Sequence, residues 1–222
     1  GAFSRARSKL NPEAFKYLNE IACRSFYTKA PYHQWHKKRL LAVDGTRLML
    51  PNHSTIKEEF GTYKFGPNAD SPRSLAMGSI LYDPLNQLAL DSQIAPYIAS
   101  ERDLLLLHLD KINSGDILLL DRGYPCFWLL FLLAAKKIDF CVRLKDDWWL
   151  KVKEFRESSL NDTLVEFMLP KKDYSKLDKH PEIREKSLTC RLLKVILDNG
   201  EIEILCTSLT DNCLYKESEF KE

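Results

Sequence analysis

Leu40-Leu41-Ala42-Val43-Asp44-Gly45-Thr46 and Ile117-Leu118-Leu119-Leu120-Asp121-Arg122-Gly123-Tyr124 each carry an apolar run that closes on an aspartate. Short apolar runs bounded by turn residues read as buried strands, and a carboxylate that ends such a strand emerges at the edge of a sheet. If the two strands are neighbours, their carboxylates can share a divalent cation, an arrangement suited to metal-assisted phosphoryl chemistry. An aspartate before glycine also starts turns on its own account. Two such strands in one chain favour the metal reading, and the segments around them extend it.

Downstream of Asp121, Pro125 opens a strongly apolar helix to Lys137, and Asp139-Phe140-Cys141-Val142-Arg143-Leu144 follows as another strand. Strand, helix and strand in so short a space imply a right-handed parallel crossover. Upstream, Ser100-Glu101-Arg102-Asp103 has the form of a capping box before a Leu-rich helix to about Ile112, which Gly115 ends. Residues 73–82 and 87–94 are strand candidates on either side of the turn signal Asp83-Pro84-Leu85-Asn86, so an antiparallel meander is expected beside the Asp44 strand. Asn11-Pro12-Glu13 is a helix start, and Phe15, Leu18, Ile21 and Ala22 fall on one face of a helix over about 12–24. Residues 52–72, with Gly61, Gly66, Pro67 and Pro72, read as an irregular connection holding one short helix. Beyond Lys145 the texture changes. Residues 148–154, 163–168, 187–197 and 201–208 are mostly strand candidates, joined by Asp198-Asn199-Gly200 and by a Lys-rich stretch over 170–185. The pattern predicts an α/β core followed by a largely β insertion.

The chain of 222 residues, 45% hydrophobic and 29% charged, has the composition of a soluble globular protein with room for one sizeable core and a smaller module. No signal peptide is visible, and the longest apolar run, 126–135, is too short to cross a bilayer. A cytoplasmic protein without a membrane partner is expected. The six cysteines have no close pair, which argues against a zinc knuckle or a redox motif and for free thiols. A first residue of Gly rather than Met is consistent with a cut-down chain. Net charge is only +2, yet residues 1–40 hold nine Lys or Arg against Glu13 and Glu20, leaving the rest net acidic. A basic arm before an acidic body suits a nucleic-acid enzyme, since Lys and Arg supply sequence-independent affinity for phosphates. An ordinary solvated helix face would show the same charges.

Taken in order, Phe3-Ser4-Arg5-Ala6-Arg7-Ser8-Lys9-Leu10 before Asn11-Pro12-Glu13-Ala14-Phe15, the Val43-Asp44-Gly45-Thr46 strand, Ser100-Glu101-Arg102, and Asp121-Arg122-Gly123-Tyr124 leading to Phe140-Cys141-Val142-Arg143-Leu144-Lys145 resemble the DDE transposases of bacterial insertion sequences. The resemblance is to the family named for insertion sequence four. It implies an α/β, ribonuclease H-like mixed sheet flanked by helices, with a β-rich insertion after the second catalytic Asp strand. The implied organisation is a basic N-terminal helical segment over 1–38, the catalytic core over 39–145, the insertion over 146–204 and a return to the core over 205–222. The implied activity is metal-dependent cleavage and strand transfer at transposon ends. Double-stranded DNA is the implied partner, with a homodimer assembled on it. Asp44 and Asp121 match the first two catalytic carboxylates, which hold Mg²⁺ or Mn²⁺ in a two-metal site. Arg5, Arg7, Lys9 and Arg122 are the candidates for holding DNA phosphate. Arg122 equally suits a pairing with a nearby acid that holds the strand end.

The third carboxylate of that family sits in a motif of Tyr, two residues, Arg, three residues, Glu, six residues and Lys. Tyr215 and Glu222 mimic its spacing, but Ser218 stands where Arg is required. A fragment that stops before the third acid, and is inert by itself, is therefore expected. The alternatives are a non-catalytic DNA-binding remnant and a different ribonuclease H-like nuclease. Glu101 reads as a first-turn helical acid favoured by the helix dipole. His33 and His36, beside Tyr32 and Trp35, read as aromatic packing rather than as a metal pair. Trp148 and Trp149 would point to opposite faces of a strand, so at least one is expected in a core.

Overall fold

The computed structural model describes residues 6, 9–64, 72–145 and 149–221. It divides into two compact units, 1–37 with 45–111 and 38–44 with 112–222, and strand β1 (Leu40–Met49) contributes to both.

In the first unit, β2 (Leu75–Asp83) and β3 (Leu88–Pro96) form the expected hairpin. Asp83 closes the turn by accepting from the Asn86 N–H at 3.0 Å and from the Tyr27 hydroxyl at 2.6 Å. The Leu50 N–H donates to the Ser74 carbonyl at 2.9 Å where β1 lies beside β2. Helix α1 (Pro12–Lys29) begins as predicted, with the Asn11 side chain accepting from the Glu13 N–H. Its orientation is a correction to the helical-face reading. Phe15 and Leu18 are 60% and 61% exposed, and Cys23 is the buried residue of the helix. Short α2 (Ser54–Phe60) falls within the irregular connection. Helix α3 (Glu101–His108) starts on Ser100, whose hydroxyl accepts from the N–H groups of Arg102 and Asp103. A buried chain then fixes its far end. Ser79 Oγ stands 3.0 Å from His108 Nε2, His108 Nδ1 stands 2.7 Å from Asp91 Oδ2, and Gln93 donates to the same oxygen. Each polar group there has a partner, as burial requires.

In the second unit, residues 40–43 of β1 pair in parallel with β4 (Ile117–Leu120), and β4 pairs in parallel with β5 (Asp139–Leu144). Helix α4 (Phe127–Ala135) makes the crossover, with Leu129–Leu133 buried on every side. A helix apolar all round belongs in a core. Charged residues stay at the opposite end of these strands. Arg39 holds Asp116 through two nitrogens, and Lys38 Nζ lies 2.7 Å from Asp139 Oδ2. The insertion continues the same sheet, as β6 (Asp162–Met168), β7 (Ser187–Ile196) and β8 (Ile202–Thr207) pair antiparallel in the order β5-β8-β7-β6. Residues 150–157 correct the strand expected over 148–154. They form helix α5 (Leu150–Glu157), which buries Val152 and Phe155, three residues apart, while 146–148 lie outside the described residues. Trp149 stacks on Phe127 at 4.2 Å and meets Phe167 edge-on, the packing expected of one tryptophan of the pair. Arg191 is 1% exposed, pairs with both oxygens of Asp162 and donates to the Tyr215 carbonyl at 2.6 Å.

The strand order is β3-β2-β1 in the first unit and β1-β4-β5-β8-β7-β6 in the second. The antiparallel hairpin beside β1 in the one and the parallel β1, β4 and β5 in the other are the parts of a ribonuclease H-like mixed sheet flanked by helices, with the β-rich insertion after β5. Among the described residues, no helix is long and apolar enough to cross a membrane.

Candidate functional site

Parallel pairing carries the two aspartates to one place. Val43 is the register partner of Leu120, so Asp44 and Asp121 are the next positions on two adjacent strands that run the same way. Neighbouring strands in a sheet run about 4.8 Å apart, a spacing at which carboxylates on adjacent strands can share one cation. Both residues are exposed, and both line one open groove of about 490 Å³ in the second unit. Ala42, Leu119, Cys141 and Leu205 form its apolar floor, and Arg143 and Glu203 complete its polar rim.

The rim is an ion-pair network. Arg143 Nη1 lies 3.7 Å from Asp121 Oδ1, and Arg143 Nη2 binds Glu203 Oε1. Arg122 Nη2 reaches the same Glu203 oxygen at 3.1 Å. Of the two roles open to Arg122, pairing with an acid is therefore the one seen in the free chain. Glu203 and Arg143 were not singled out by sequence reasoning. Glu203 is the one charge in β8, and Arg143 interrupts the apolar part of β5 after Asp139; those interruptions were the available signal.

The groove offers oxygen ligands only. Burial pushes the Cys141 thiol up to about 12, so at neutral pH it is a protonated, poor ligand rather than a thiolate. Carboxylate donors without sulfur suit Mg²⁺ or Mn²⁺ over zinc. Magnesium is ordinarily held by one or two carboxylates plus water and substrate phosphate, and Asp44 with Asp121 fits that pattern. Among the described residues, no group of three or more His, Cys, Asp or Glu forms a metal site.

The remaining candidates are spread elsewhere. Lys9 is exposed, and Arg5, Arg7 and Glu222 lie outside the described residues. Glu101 opens α3 and folds over Gly45, where an added Cβ would stand 2.8 Å from Glu101 Oε1. His36 packs edge-on to Trp35 at 4.4 Å, and the His33 N–H donates to Asn86. All six cysteines are free thiols.

Residues 35–216 match the family model described as "Transposase DDE domain". A comparison with curated proteins gave no match. Among solved structures, the chain is similar to that titled "Cryo-EM structure of piggyBac transposase synaptic complex with hairpin DNA", at 12% identity and a TM-score of 0.45. That similarity covers 81% of this chain and 35% of the other, so the chain spans about a third of that relative's length.

Proposed function

Because the chain belongs to the transposase DDE domain family, we propose that it carries the first two catalytic carboxylates of a DNA transposase, of the kind named for insertion sequence four, and that Asp44 and Asp121 hold Mg²⁺ or Mn²⁺. The observation that carries this reading is the parallel register of β1 on β4, which makes Asp44 and Asp121 the next residues of two adjacent strands that line one groove. Divalent cations held by Asp44 and Asp121 would supply activation of water or a DNA 3′-hydroxyl and stabilisation of the leaving oxygen at phosphorus. The chain's own part is to hold two oxygens fixed on rigid strands and to bind phosphate beside them. Arg122 takes up phosphate by exchanging its Glu203 partner for it, since both offer the same oxygen geometry to a guanidinium. Transposon-end and target DNA are the partners, the assembled form on DNA is a homodimer, and the protein works in the cytoplasm. The working organisation is a basic segment over 1–38, a catalytic core over 39–145, an insertion over 146–204 and a return to the core over 205–222.

Residues 1–222 supply two acids where the reaction needs three, so this chain alone should be inert as a nuclease. Incubation with Mg²⁺ and supercoiled plasmid tests this, and robust nicking by 1–222 would overturn the assignment. A non-catalytic DNA-binding remnant is the second reading, favoured by Ser218 standing where the motif of the third acid requires Arg. Mn²⁺ binding that is lost in Asp44→Asn and Asp121→Asn separates the two, since a remnant need not bind metal.

The basic arm gives an independent expectation. If Arg5, Arg7 and Lys9 contact phosphates, changing all three to Ala should reduce the slope of log affinity against log salt by about 3 in duplex-DNA titrations. An unchanged slope would return these residues to an ordinary solvated surface.

A further inference from the structure

We infer that Glu203 is a positioning residue for the cation at Asp44 and Asp121, and that it acts by drawing the Arg143 guanidinium away from Asp121. The inference rests on the metal reading above and deepens it. Arg143 stands between two carboxylates and touches them unequally. Its contact with Glu203 is a direct hydrogen bond, whereas the 3.7 Å to Asp121 lies outside hydrogen-bond range.

The two acceptors differ in how firmly they are held. Glu203 is only 12% exposed at its side chain and is clamped from a second direction by Arg122. Asp121 is 61% exposed and open to water. A guanidinium keeps its charge at every working pH, so it cannot step aside by losing a proton. It can only be moved, and at 44% exposure Arg143 has the freedom to swing. Without the Glu203 carboxylate, Arg143 turns onto Asp121 and occupies the oxygens that a cation needs. With it, Asp121 stays available. In this arrangement Glu203 Oε1 receives both arginines.

Mn²⁺ titrations of residues 1–222, followed by electron paramagnetic resonance, read this directly. Glu203→Gln should weaken Mn²⁺ binding by about fivefold, the upper range for a partly exposed ion pair, and Arg143→Gln should tighten it by a similar factor. In the double variant the Glu203 effect should vanish, leaving an affinity within about twofold of Arg143→Gln alone. Glu203→Asp keeps the net charge and shortens the reach to Arg143, so it should weaken Mn²⁺ in the same direction as Glu203→Gln. This variant also keeps the test sound if Glu203→Gln folds poorly.

Strictly additive effects in the double variant would overturn the inference, since Glu203 would then act through the general field of the site. Wild-type affinity in Glu203→Asp beside a weakened Glu203→Gln would do the same. Failure of the underlying reading looks different. Mn²⁺ binding that persists in both Asp44→Asn and Asp121→Asn, or is absent from wild type and Arg143→Gln alike, removes the metal site itself and the role of Glu203 with it.

Discussion

Asp44→Asn and Asp121→Asn should each lower Mg²⁺-dependent strand nicking by on the order of 1,000-fold or more, measured in a form of the protein that carries all three acids. The amide is nearly the same size as the carboxylate, so each strand should fold unchanged. What disappears is one negative charge at a position where neighbouring parallel strands place two side by side. Loss of that charge leaves the cation poorly held, and the attacking and leaving oxygens can no longer both be stabilised. Rates, rather than substrate affinity, should fall, since the phosphate contacts proposed for the basic arm and Arg122 do not use these two carboxylates. Nicking that survives either substitution at near wild-type rate would remove that aspartate from the mechanism.

The second large effect concerns stability. Asp162→Ala should cost about 3 kcal/mol in urea unfolding, because it strips the charge partner from Arg191, which is 1% exposed. The Tyr215 carbonyl remains to Arg191, but a neutral acceptor does not balance a buried guanidinium. Replacing both residues with apolar ones, Arg191→Met with Asp162→Leu, should recover much of the loss, since a well-packed apolar pair avoids the desolvation that a buried ion pair carries. A cost below about 1 kcal/mol for Asp162→Ala would show that Arg191 draws its compensation from elsewhere. The Phe220 ring, 5.6 Å from the guanidinium, is the other neighbour that bears on it.

Much of this architecture was legible in the sequence, and the reasons are local. The hairpin was signalled by Asp83-Pro84-Leu85-Asn86 between apolar runs, and the crossover by an apolar helix between two strands too close for any other parallel connection. Asp44 and Asp121 stood out as candidates because each is the first charge after an apolar run, and those runs are the paired strands β1 and β4. The failures share a cause, which is that periodicity identifies an element without saying what covers it. Phe15, Leu18 and Ile21 do lie on one face of α1, but that face points outward. Residues 148–154 mix tryptophans, Leu150 and Val152 with alternating lysines, a strand-like pattern, yet the spacing of Val152 and Phe155 decides for a helix. The rim of the groove was illegible for another reason. Arg143 and Glu203 are 60 positions apart, and only the antiparallel pairing of β5 with β8 brings them together.

The pairing of Leu40 with Ile117 also has a consequence for synthesis on the ribosome. At about 5–20 residues per second, the β1 segment is made several seconds before the β4 segment that covers it. Leu40-Leu41-Ala42-Val43 must wait through that interval as an apolar strand with an unpaired edge, the kind of segment that invites aggregation. Lys37-Lys38-Arg39 stand directly before it, and three consecutive positive charges are an effective gatekeeper against premature association. Once β4 arrives, Lys38 and Arg39 find Asp139 and Asp116, so the cations that guard the nascent strand become its anchors in the finished sheet.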